Sequence, residues 1–82
     1  MVVMQNFLVL RDIADHDIRN IEKSTTRQMR DYWTTLAAKT IVKMKEDIKF
    51  SPSQEKKDIL DSVIFDGLIS LLSEDRWHEN YE

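Results

Sequence analysis

The chain has 82 residues, 12 of them basic and 15 acidic, for a net charge of −3; 41% are hydrophobic, 33% are charged and none is cysteine. That length makes one small domain that buries well under three quarters of its unfolded surface; it is too apolar for a disordered chain and lacks the disulfides that staple many secreted domains of this size. A single glycine and a single proline cannot supply the turns that a sandwich or barrel needs about every 8–12 residues, and the acidic balance gives no support to a nucleic-acid or anionic-membrane surface.

Val3, Phe7, Leu10, Ala14, Ile18 and Ile21 recur at spacings of 4, 3, 4, 4 and 3. One face of an α-helix has that spacing, which predicts a helix over residues 2–22 with Asp12, Asp15, Arg19 and Glu22 off the face. The opening MVVMQNFLVL has no basic segment before it and no small-residue cleavage site after it, and it is far short of the roughly 20 residues a membrane span requires. It reads as folded structure, and the expected compartment is the reducing cytoplasm.

A break is expected at residues 23–26, where Thr25 with Gln28 fits a capping box and Ser24 is an equal candidate for the cap; a continuous helix through the break is the alternative. The next helix is expected over residues 26–49, with a stripe of Met29, Trp33, Leu36, Ala37, Thr40, Met44 and Ile48 and with Lys43, Lys45 and Lys49 toward the negative end of its dipole. The clearest punctuation is Lys49-Phe50-Ser51-Pro52-Ser53-Gln54. Ser51 as N-cap, Pro52 at the first helical position and Gln54 at the third predict a third helix over residues 52–72, with Leu60, Val63, Ile64, Leu68 and Leu71 at its core positions. Gly67 interrupts it and would let another helix come close. The tail SEDRWHENYE holds Trp77 and Tyr81 four residues apart, enough for a short helical turn with both on one side. The fold class is all-α: a small three-helix bundle, or a helical hairpin plus a third helix, over residues 1–72, followed by an acidic, aromatic-containing turn or tail over residues 73–82.

Helix 3 is apolar over too much of its circumference. Leu60, Val63, Ile64, Phe65, Leu68, Leu71 and Leu72 cover roughly 200°, where a surface helix needs a stripe a little over 100° wide. Leu8 and Val9 likewise point away from the stripe of helix 1. Either helix 3 packs against two neighbours inside a monomer, or the surplus is an interface, most commonly that of a symmetric homodimer. The candidate partner-binding residues are Leu8, Val9, Phe65, Leu68 and Leu72, joined by Trp77 and Tyr81, aromatic types that dominate interface energetics.

No catalytic constellation emerges: there is no cysteine nucleophile, no glycine-rich phosphate loop and no readable triad. Asp12 with His16 and Asp75 with His78 have ligand-like spacing but read as solvated helix surface, so no metal and no cofactor is expected. Asp61, flanked by apolar positions, is expected to pair with Lys57 or with an arginine of another helix. Arg27, Arg30, Lys39, Lys43, Lys45 and Lys49 offer an alternative reading as a small helical nucleic-acid-binding transcriptional regulator, but they do not gather on one face as a recognition helix requires. The function expected is a non-enzymatic protein-interaction module, a small regulator or inhibitor that self-associates, of the size class that includes phage- or plasmid-encoded accessory proteins.

Overall fold

At residue 24 the chain stops behaving as a helix because its side chain competes for the backbone. The Ser24 hydroxyl donates to the Asn20 carbonyl at 2.6 Å, and its N–H reaches the Ile21 carbonyl at 3.2 Å. Thr26 then takes extended backbone, and its hydroxyl accepts the Met29 N–H at 3.1 Å, satisfying one of the amides left open at a helix start. The computed structural model describes the backbone of residues 2–81 and the side chains of residues 4–72, and its elements are α1 (Val2–Lys23), α2 (Arg27–Phe50) and α3 (Gln54–Tyr81). The first two helices are therefore separate. The cap is Thr26, not the expected Thr25 or Ser24; the Thr25 hydroxyl instead approaches the Met29 sulfur at 3.9 Å. Thr26→Ala is expected to lower the unfolding free energy by about 1 kcal/mol, whereas Thr25→Ala should change it by no more than about 0.5 kcal/mol; urea melts of the two variants check this.

The second joint corrects another expected cap. The Ser51 N–H donates to the Asp47 carbonyl at 2.8 Å and so closes α2. Ser53 opens α3: its hydroxyl accepts the Lys56 N–H at 3.4 Å and its carbonyl accepts the Lys57 N–H at 3.1 Å. With Ser51 committed to ending one helix, the start of the next moves two residues on, and Pro52 lies in the connection. At its other end α3 runs on to Tyr81, past the expected stop at Leu72. No glycine or proline lies between Ser73 and Tyr81, so nothing in the tail breaks the helix.

The three helices form an all-α bundle, and among the described residues there is no strand. α1 and α3 run parallel, since Phe7 lies under Lys56, Ile18 beside Gly67 and Glu22 beside Ser70. α2 runs antiparallel to both. The core is Phe7, Ala14, Ile18 and Ile21 from α1, Ala37 and Met44 from α2, and Leu60 and Val63 from α3. Val3 lies outside the described side chains. The α1–α2 seam is the most extensive and the α2–α3 seam the thinnest. The molecule is a rod of 47 × 17 × 15 Å with a radius of gyration of 13.9 Å, against about 12 Å for a compact chain of this length. A rod three helices thick has little interior, so each helix keeps much of its circumference open.

Three polar side chains inside this thin core have partners. The Thr40 hydroxyl donates back to the Leu36 carbonyl at 3.1 Å. Ser70, 1% exposed, donates to Glu22 Oε1 at 3.1 Å and ties α3 to the last turn of α1. Lys56, 2% exposed, holds Asp47 Oδ2 at 2.9 Å, donates to the Ser51 carbonyl at 3.4 Å and lies 5.6 Å from the centre of the Phe7 ring.

Candidate functional site: an apolar groove between α2 and α3

α3 follows α1 more closely than α2. Gly67 faces α1, and a Cβ placed there would stand 3.8 Å from the Ile18 Cδ1, an ordinary contact. On the other side, toward α2, the seam opens into a groove of about 210 Å³. Its floor is Ile18 and Ile21; Thr34, Ala37, Ala38 and Ile41 form the α2 wall, and Ile64, Leu68 and Leu71 form the α3 wall. The wall on α2 is made of small side chains and the wall on α3 of large ones. Thr34 Oγ1, without a hydrogen-bond partner, is a polar point on an otherwise apolar surface.

Two residues that periodicity places in the core belong to this opening. Leu68 is 54% exposed and Leu71 41%. The face that contains them continues around α3 to Phe65, 62% exposed, and Leu72, 67% exposed. Four large apolar side chains are therefore open along two turns beside a preformed apolar slot, an unusual concentration for a face exposed to water. Phe65, Leu68 and Leu72, proposed from sequence, come together here. Leu8 and Val9 do not join them. They stand near the end of the bundle where Phe7 meets Lys56, while the groove lies at the end where Ile18 meets Gly67. Leu8 is half-buried and Val9 is exposed. Trp77 and Tyr81 lie outside the described side chains.

Sequence reading missed the α2 wall. Ala38 and Thr34 are inconspicuous in a pattern search, and only the direction in which α3 leans makes them part of a site. It also placed Met29 in the α2 stripe, but Met29 is exposed. Phe50, the most open large apolar residue of those described, ends α2 at the opposite end from the groove.

The remaining candidates make local contacts where their side chains are described. The Arg11 guanidinium donates to Asp12 Oδ1 at 2.9 Å. His16 contacts Asp17 at 3.3 Å and Asn20 at 3.4 Å, and its ring meets Trp33 edge-on at 5.5 Å. Among the described residues no three acidic or imidazole groups are placed to hold a metal ion; Asp75 and His78 lie outside the described side chains. Asp61 is exposed and makes no ion pair with Lys57, contrary to expectation. The basic residues of α2 stay dispersed: Arg27, Lys45 and Lys49 share one side, Lys39 and Lys43 another, and the half-buried Arg30 pairs with Asp31 at 3.2 Å. Among the described residues no helix is long and apolar enough to cross a membrane.

A polar cleft between α1 and α3 is lined by Asp15, Arg19, Glu22 and Asp66. Burial raises the Asp15 carboxyl above its ordinary 3.8, Arg11 and Arg19 oppose the shift, and the nearby charge of Asp66 adds to it. An acid whose folded pKa is raised binds its proton more tightly when folded, so its charged form costs stability at neutral pH. Asp15→Asn should therefore raise Tm at pH 7, and that advantage should disappear as pH falls through the raised pKa toward 3.8. Melts at pH 7 and pH 3.5 check the sign.

No protein-family model matches the chain, and no curated protein sequence or solved structure matches it either. The function must be read from the groove and the face beside it.

Proposed function

We propose that the chain is a non-enzymatic protein-interaction module, a small regulator or inhibitor acting in the cytoplasm, which docks on a protein through the α2–α3 groove and the adjoining face of α3. The observation that carries this reading is the run of open side chains Phe65, Leu68, Leu71 and Leu72 beside a slot floored by Ile18 and Ile21. Removing each of these side chains from water contributes on the order of 1 kcal/mol, so a protein surface that covers the run gains several kcal/mol before the costs of association. Recognition of this type places an apolar ridge of the partner in a helix-lined groove.

The experiment is site-directed photo-crosslinking of the full chain in the cell. A photo-reactive residue in place of Phe65 should form protein adducts, and one in place of Glu46, exposed on the outward side of α2, should form few. Equal labelling at the two positions, or none at either, overturns the proposal.

A further inference from the structure

We infer that the outward face of the second half of α2, a surface separate from the groove, docks on a bilayer surface that carries anionic lipid. The net charge of −3 hides an uneven distribution. From Ala38 to Phe50, α2 holds Lys39, Lys43, Lys45 and Lys49, all exposed, against Glu46 as the one exposed acid of that stretch. Asp47, its other acid, is engaged by Lys56 at 2.9 Å. Over its described side chains α3 has the opposite bias, with Glu55, Asp58, Asp61 and Asp66 exposed against Lys57. A negatively charged plane therefore attracts one side of the rod and repels the other, which orients the molecule as it approaches. Among the described residues none of the four lysines makes an ion pair, so their charge is open to an outside anion.

The two rows of lysines stand too far apart for a recognition helix, but an apolar position lies between them. At about 100° per residue, Val42 falls between Lys39 and Lys43 on one side and Lys45 and Lys49 on the other. Val42 is half-exposed, and Phe50, 94% exposed, ends the helix beyond them. A lipid surface uses each of these groups. The ammonium groups reach the headgroups while their hydrocarbon stems lie along the apolar line, and the phenyl ring enters the boundary of the acyl chains. α1 adds no acid near Phe50, since its first charged residue is Arg11. A nucleic acid would use the lysines and leave Val42 uncovered, and on a rod 17 × 15 Å in cross-section the convex face gives a strand no groove to follow. Each lysine at an anionic surface strengthens binding about fivefold, so the three net charges of the face contribute about a hundredfold.

The test is flotation of the full chain with vesicles of phosphatidylcholine alone and of phosphatidylcholine mixed with phosphatidylserine. The chain should float with the mixed vesicles, be released by high salt, and bind the neutral vesicles at least about tenfold more weakly. Lys43→Gln should weaken binding about fivefold and Phe50→Ser about tenfold, both with undiminished helical circular dichroism because the two side chains are exposed. Glu46→Lys should strengthen it. Lys23→Gln makes the same change in total charge on an exposed residue of α1 and should alter binding by less than about twofold. Equal binding to the two kinds of vesicle, binding to neither, or equal effects of Lys23→Gln and Lys43→Gln overturns the inference. A single-stranded oligonucleotide held more tightly than the mixed vesicles, with no loss in Phe50→Ser, also overturns it and assigns the lysines to nucleic acid.

Discussion

Phe7→Ala is expected to lower the unfolding free energy by about 4 kcal/mol and to leave the chain partly unfolded at 37 °C. Phe7 is fully buried, the largest apolar side chain in the core to be so. Its removal exchanges a filled position for a cavity in a rod too thin to collapse around it. The ring also faces the Lys56 ammonium at 5.6 Å, a contact worth about 1 kcal/mol when partly shielded from water. An 82-residue domain holds about 4–12 kcal/mol in total at the usual stability per residue, so this single truncation removes a third or more. Leu72→Ala, at a position 67% exposed, deletes a similar hydrocarbon side chain and should move stability by no more than about 0.5 kcal/mol. Urea unfolding followed by circular dichroism separates the two. Comparable losses for both variants would mean that Leu72 is as enclosed as Phe7 and that the open face of α3 is part of the core.

The contrast between Phe7 and Leu72 also marks where the sequence is informative. The 4-3-4 spacing of α1 identifies Phe7, Ala14, Ile18 and Ile21, and all four are buried. On α3 the same reasoning selects Leu60, Val63, Ile64, Leu68 and Leu71, and it holds only for the first three. Periodicity assigns residues to a face of a helix; it does not say how far along the helix its neighbours stay in contact. α3 has 28 residues and α1 has 22, and α3 leans toward α1 at Gly67, so its apolar face outlasts the surface available to cover it. The excess width read from the sequence was a sound signal for that reason, while the exact residues forming the groove, Thr34 and Ala38 above all, depend on a tilt that no pattern encodes. The caps failed on a smaller scale. Thr25 and Thr26, or Ser51 and Ser53, are equivalent by residue type, and the choice between them falls to whichever backbone amides the preceding helix has already used.

Asp47→Ala is expected to cost about 3 kcal/mol, more than truncation of an exposed acid, because it strands a buried charge. Lys56 is 2% exposed, and its ammonium has Asp47 Oδ2 at 2.9 Å as its anion. The Ser51 carbonyl at 3.4 Å and the Phe7 ring at 5.6 Å are what remains when the carboxylate is gone, and neither neutralises a full charge. Lys56→Met should by contrast be nearly neutral, since it replaces the buried ion with hydrocarbon of similar length; Asp47, about a quarter open to water, can then hydrate. The double variant should therefore recover most of what Asp47→Ala loses, a non-additivity that a double-mutant cycle reads directly. Equal costs for the two single variants would mean that the pair acts as an ordinary surface bridge. The location of the pair links it to the groove. It fastens the first turn of α3 to the last turns of α2 at one end of the thinnest seam in the bundle, and the groove is the opening at the other end. With α3 anchored there and tied to α1 by the Ser70–Glu22 hydrogen bond, Ile64, Leu68 and Leu71 line the groove across from Thr34, Ala37, Ala38 and Ile41. On the docking reading proposed above, the Asp47–Lys56 pair fixes where α3 stands beside α2, and loosening it should weaken docking even where every residue of the groove is intact.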